Sequence, residues 1–92
     1  QLARMLVQEP YKYWTSSRGD KWECIEAAEP AHAAEEQARR WSELGYRGPF
    51  TILVSLSLLD SPPKKGDRVY VYRVNPQTSF VTYRMDYINL GG

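Results

Sequence analysis

The chain predicts an α+β fold, with one helix packed on a mostly antiparallel sheet of four to five strands in the order β-β-α-β-β-β. Three observations carry that expectation. Ala31, Ala34, Ala38, Trp41 and Leu44 recur every three or four residues, the spacing of one stripe on an α-helix. Two short aromatic-rich runs stand before it, on either side of a Ser-Ser-Arg-Gly-Asp turn. After it come further runs in which apolar residues alternate with period two, the signature of strands.

Taken in order, residues 1–10 fit neither period cleanly and read as an N-terminal arm or an extra strand. Residues 11–15 put Tyr11, Tyr13 and Thr15 on one face, and Lys12 and Trp14 on the other. Residues 16–20 are polar and contain Gly19, which suits a hairpin connection. Residues 21–27 alternate again, with Trp22, Cys24 and Glu26 opposite Glu23, Ile25 and Ala27. The helix opens at Glu29 or Pro30, since proline is tolerated in a first turn. Gly45 is its natural terminator, because glycine adopts positive φ without a Cβ clash. Its polar face holds two acidic-to-basic pairs at i,i+4, Glu35–Arg39 and Glu36–Arg40, each worth about 0.2–0.5 kcal/mol.

Gly48-Pro49 turns the chain into residues 50–59, where Phe50, Ile52, Val54, Leu56 and Leu58 form an unbroken apolar face. This is the expected central strand, lying beneath the helix. Residues 60–67 (DSPPKKGD) form a loop rich in proline and charge. Residues 68–74 set Val69, Val71 and Arg73 against Tyr70, Tyr72 and Val74. Asn75-Pro76-Gln77 reads as a turn, residues 80–87 as a last strand, and residues 88–92 as a tail. The expected core is Ile25, Ala34, Ala38, Trp41, Leu44, Ile52, Val54, Leu56, Val69 and Val71.

Ninety-two residues suffice for one compact domain spanning 1–92. The net charge of +1 argues against a strongly nucleic-acid-binding or membrane-surface protein. The most apolar run, residues 50–59, is half the roughly 20 residues a spanning helix needs. Residues 1–9 lack the apolar core and small-residue cleavage site of a signal peptide. The chain starts on Gln, so it reads as processed or as a piece of something longer. Cys24 stands alone and cannot form an intramolecular disulfide, which fits a cytoplasmic location.

Candidate chemistry is sparse. Cys24 and His32 are the one nucleophile–base pair the composition offers, with nothing to orient the imidazole or stabilise an oxyanion. One Cys and one His cannot complete a tetrahedral metal site, and no glycine-rich phosphate loop is present. Arg18-Gly19-Asp20 spells an adhesion tripeptide, but Gly and Asp are equally what a turn requires. No catalytic residue, cofactor or metal is therefore expected, and the chain is not read as an enzyme.

The strands, in contrast, interleave rings with cations. Tyr11, Tyr13, Trp14, Trp22, Tyr70, Tyr72 and Tyr83 alternate with Lys12, Lys21, Arg68, Arg73 and Arg84. One helix covers one face of a sheet, so the other face is expected to expose aromatic residues for docking. The partner-binding residues expected on this basis are Trp14, Trp22, Tyr70, Tyr72, Arg73, Tyr83 and Arg84. The function expected is a small regulatory or accessory module that docks an aromatic face or an edge strand on a protein, a second copy of the chain included. The alternative is a single-stranded nucleic-acid-binding domain, stacking bases on Tyr and Trp beside Arg and Lys. No membrane partner is expected.

The order of a hairpin, a helix and further strands, ending in Leu90-Gly91-Gly92, resembles the ubiquitin-like β-grasp arrangement. The resemblance covers the element order from Tyr11 onward, with a β-grasp-like or related split sheet. It implies, as a minor alternative, a modifier whose terminal glycine carboxylate is conjugated to an amine. Asn89-Leu90 stands where basic residues often precede that diglycine.

Overall fold

Strand-forming residues with a two-residue period need a partner layer for their apolar side, and the Ala-rich helix supplies it. The computed structural model describes residues 11–57, 61–75 and 81–91. The expectations for residues 1–10, 58–60, 76–80 and 92 lie outside these. The elements are β1 (Tyr11–Ser16), β2 (Glu23–Ala27), α1 (Pro30–Glu43), β3 (Phe50–Leu56), β4 (Arg68–Asn75) and β5 (Val81–Asn89). They form one helix and a five-stranded sheet of order β2-β1-β3-β4-β5, in which every neighbouring pair is antiparallel. Because β2 and β3 flank β1, the unit β2–α1–β3 is a split crossover with β1 inserted between its strands. The sheet is therefore the split arrangement of the β-β-α-β-β-β order.

The helix begins where the sequence asks it to. Glu29 is the N-cap in extended conformation (φ −152°) and Pro30 follows in the first turn. It ends in a Schellman turn: Tyr46 N–H donates to Trp41 O at 3.0 Å, Gly45 N–H donates to Ser42 O at 3.0 Å, and Gly45 has φ +102°. On the outer face Arg39 meets Glu35 at 3.2 Å and Glu36 at 3.0 Å, and Arg40 meets Glu36 at 3.7 Å. These pairs are solvated and contribute little.

The buried stripe is Ala33, Ala34, Gln37 and Ala38, with Ala31 and Trp41 partly buried beside it. Small residues let the helix lie low on the sheet, where Tyr13, Ile25, Ile52, Val54, Tyr72 and Val74 complete the main core. Two expected core residues are corrected. Leu44 is the C-cap, past the last turn that faces the sheet, and is 74% exposed. Leu56 ends β3 and is 44% exposed.

The reverse face of the sheet has a core of its own. Leu53, Val69 and Leu90 are buried there, with Trp22 and Val71 packed against them. Two segments outside the strands build this cover. The β1–β2 loop brings Trp22 and Gly19 across the sheet, and a Cβ at Gly19 would lie 3.2 Å from Leu90 Cδ2. Residues expected as a tail instead extend β5 to Asn89 and then dock: Leu90 N–H donates to Asp67 O at 2.9 Å, and Gly66 N–H donates to Leu90 O at 2.7 Å.

Candidate functional site

Strand register decides which rings share a surface, because successive side chains point to opposite faces. In the β3–β4 ladder Ile52 pairs with Tyr72 and Val54 with Tyr70, so both tyrosines lie on the helix side. Tyr72 is 6% exposed and belongs to the main core; Tyr70 is partly buried against it. This corrects the expectation that Tyr70 and Tyr72 decorate the face the helix leaves open. Burial raises the Tyr72 phenol above its ordinary pKa of 10.0, and the nearby Arg84 guanidinium partly opposes that rise. Tyr13 is raised as well, first by burial and then by Tyr11, Tyr72 and Glu29.

Trp14, Trp22 and Arg73 lie on the reverse side. Trp14 pairs with Cys24 and Ser55 and is half-buried, its Nε1 enclosed without a hydrogen-bond partner. Trp22 is taken up by the reverse-face core. Arg73 is exposed and pairs with Tyr83 in the β4–β5 ladder. The six expected residues with described side chains, all but Tyr83, thus do not form one patch. They divide between two faces, and the reverse face spends Trp22 on its own packing.

What the structure does assemble is a ladder of alternating cations and rings on β4 and β5. The Arg68 guanidinium carbon sits 4.3 Å from the centre of the Tyr87 ring. Tyr87 meets Tyr70 edge-to-face at 6.4 Å, and the Arg84 guanidinium carbon lies 5.4 Å from the Tyr70 ring. Each cation–ring contact is worth about 0.5–1 kcal/mol at an exposed site. The ladder exists because β5 carries a bulge. Val71 pairs with Asp86 and Tyr72 with Arg84, so Met85 is an extra residue. Regular alternation would put Arg84 and Tyr87 on opposite faces. The extra residue brings both to the helix side. Tyr87 was absent from the expected set for this reason: nothing local in the sequence marks a bulge.

The surroundings of the ladder are exposed. Met85, Tyr87 and Ile88 are large apolar side chains open to solvent along β5. Among the described residues β5 pairs with β4 alone, so it is an edge strand. The bulge at Met85 interrupts its outer side, while the other edge, β2, is five residues long and carries the exposed Glu23 and Glu26. Both are the usual ways of blunting an edge against strand addition. A partner at β5 meets side chains more than a straight row of backbone groups.

The remaining chemistry resolves structurally. Cys24 pairs with Trp14 on the reverse face, whereas His32 is exposed on the helix, so the sheet separates them. The Arg18-Gly19-Asp20 turn is built on Ser16, whose Oγ accepts Arg18 N–H at 3.3 Å and Gly19 N–H at 2.8 Å. Among the described residues no group of three or more His, Cys, Asp or Glu side chains is placed to hold a metal ion. Also among them, no helix is long and apolar enough to cross a membrane. No protein-family model, curated protein or solved structure matches the chain.

Proposed function

We propose that this domain is a non-enzymatic docking module, of regulatory or accessory type, that binds a protein partner on the helix side of the β4–β5 ribbon. The observation that carries the reading is the Arg68–Tyr87–Tyr70–Arg84 ladder beside the exposed Met85 at the bulge. Arg and Tyr are the residues on which binding energy most often concentrates, and here each cation is already held over a ring. The two guanidiniums favour carboxylates, and the Tyr87 and Tyr70 rings between them favour an aliphatic or aromatic residue. The expected ligand is a partner segment with acidic residues on either side of an apolar one. A reducing, cytoplasmic setting is part of the proposal, because Cys24 is an exposed single thiol.

The packing of Leu90 and Gly91 supports docking over the diglycine reading. A conjugated diglycine needs an extended free run before it, yet Leu90 is buried and hydrogen-bonded to the loop at Gly66 and Asp67. Gly91 is also pressed on that loop, where a Cβ would lie 2.8 Å from Lys65 Cγ. Single-stranded nucleic acid is the second reading, favoured by the same alternation of rings and guanidiniums.

The test is selection from a random peptide library on the immobilised domain, followed by titration of the best peptide and of oligo(dT). Acidic–apolar peptides should be enriched, and Arg68→Ala or Tyr87→Ala should weaken them about tenfold or more. Arg73→Ala, on the reverse face, should leave affinity unchanged. Peptides indifferent to Arg68 and Tyr87 would remove the assignment, and tight oligo(dT) binding without peptide enrichment would replace it with the nucleic-acid reading.

A further inference from the structure

A second site lies away from the ladder, between the C-terminal half of α1, the β1–β2 loop and the loop leading into β3. There the surface opens into a cleft of about 580 Å³. Gln37 lines it and is fully buried. Its Nε2 donates to Thr15 Oγ1 at 2.8 Å and also to Glu23 Oε1, while Thr15 Oγ1 donates to Glu23 O at 3.2 Å. Three elements are thus tied together through one amide. The amide oxygen, Gln37 Oε1, has no partner. A buried acceptor left without a donor costs about 1–3 kcal/mol, which a ligand donor would recover.

The rest of the cleft indicates what would donate. Trp41 and Phe50 line it as an edge-to-face pair at 5.5 Å, and the exposed Tyr46 adds a third ring. Glu23 and Asp20 supply carboxylates. An orphan amide oxygen, carboxylates and aromatic rings in one cleft are together the recognition chemistry of an organic cation. Guanidinium fits best, being planar, rich in N–H donors and free of acceptors. Arg18 and Lys21 also line the cleft, and they suit an anionic group on the same ligand, a few bonds from its cationic head.

We propose that this cleft binds the guanidinium or primary ammonium group of an organic cation. The cationic head donates to Gln37 Oε1 and the Glu23 carboxylate, and its carbon stem lies against Trp41 and Phe50. This chemistry occurs both in free amino acids and in arginine or lysine side chains of a polypeptide. The probes are therefore free L-arginine, N-acetyl-arginine-N-methylamide, and citrulline as the uncharged isostere, each titrated onto the intact ¹⁵N-labelled chain.

The expected result is a saturable shift of the Gln37 side-chain amide signals with both arginine probes, and binding of citrulline weaker by about tenfold. Tighter binding of free L-arginine assigns a small-molecule ligand, whereas equal or tighter binding of the amide assigns a polypeptide side chain. Glu23→Gln keeps an oxygen for the Gln37 Nε2 bond while removing the charge. It should therefore preserve the fold and weaken both arginine probes about fivefold. Lys21→Ala, a second variant at an exposed position, tests the anionic end and should weaken L-arginine alone. No saturable shift with either arginine probe at about 10 mM, or citrulline binding as tightly as arginine, would overturn the proposal.

Discussion

Replacing Tyr72 with alanine should unfold much of what the ladder is built on, whereas replacing Tyr87 should leave the domain folded. The difference follows from burial. Tyr72 is 6% exposed and packs in the cluster of Tyr13, Ile52, Val54 and the helix alanines. Truncating an aromatic ring in such a place costs about 3–5 kcal/mol, from lost transfer energy and the cavity left behind. A chain of 92 residues has about 5–14 kcal/mol of stability in total. The loss is thus a large share of the whole, and corresponds to a fall in Tm of about 12–40 °C at 4–8 °C per kcal/mol. Tyr87 is 48% exposed; its truncation removes one ring pair and one cation–ring contact, together about 1–2.5 kcal/mol. Thermal unfolding followed by circular dichroism, paired with urea titration to check that m is unchanged, distinguishes the two. Tyr72→Phe, which keeps the ring, should cost less than about 1.5 kcal/mol. A Tyr72→Ala protein within about 1 kcal/mol of wild type, or one more stable than Tyr87→Ala, would refute the placement of Tyr72 beneath the helix.

Gly19→Ala should cost about 1–3 kcal/mol, since φ is +87° and a Cβ would press on Leu90 Cδ2 at 3.2 Å; a urea midpoint equal to wild type would contradict this. Deleting Met85 should leave Arg84 and Tyr87 two residues apart in a regular β5, still paired with Tyr72 and Tyr70, seen as retention of the Tyr70–Tyr87 ring-to-ring nuclear Overhauser effects; loss of those effects would contradict the reading of Met85 as the extra residue. The raised phenols of Tyr13 and Tyr72 mean that the folded state holds these protons more tightly than the unfolded chain. Their contribution to stability is full below pH 10.0 and declines as pH rises beyond it through the raised values, so the urea midpoint should drop with increasing pH there. Tyr72→Phe should make that decline shallower, and a midpoint that stays level or rises above pH 10 would contradict the assignment.

Local chemistry was legible wherever the local signal was strong. Pro30 and Gly45 bracket the helix because one fits a first turn and the other a Schellman turn, and neither effect depends on the rest of the chain. The apolar face of β3 likewise marks the centre of the sheet before its neighbours are known. The candidate surface was harder to read because it depends on parity and on long-range cover. Tyr70 and Tyr72 alternate correctly in the sequence, but alternation does not say which face the helix will take. Arg84 and Tyr87 share a face through one extra residue whose effect is set by pairing with β4. Trp22 looks like a docking residue in isolation, and becomes core because Leu90, far along the chain, folds onto it. The same limit applies to Leu44, which keeps the helical spacing yet falls at the C-cap.

The most direct test of the docking surface is a backbone amide shift map of the ¹⁵N-labelled domain, recorded while the best library-selected peptide is added. Perturbations should concentrate on Arg68, Tyr70, Arg84, Met85 and Tyr87, and should weaken as salt is raised, because two guanidiniums carry the charge recognition. A map centred on Trp14, Trp22 and Arg73, with the β4–β5 ladder unmoved, would contradict it and transfer the binding function to the reverse face.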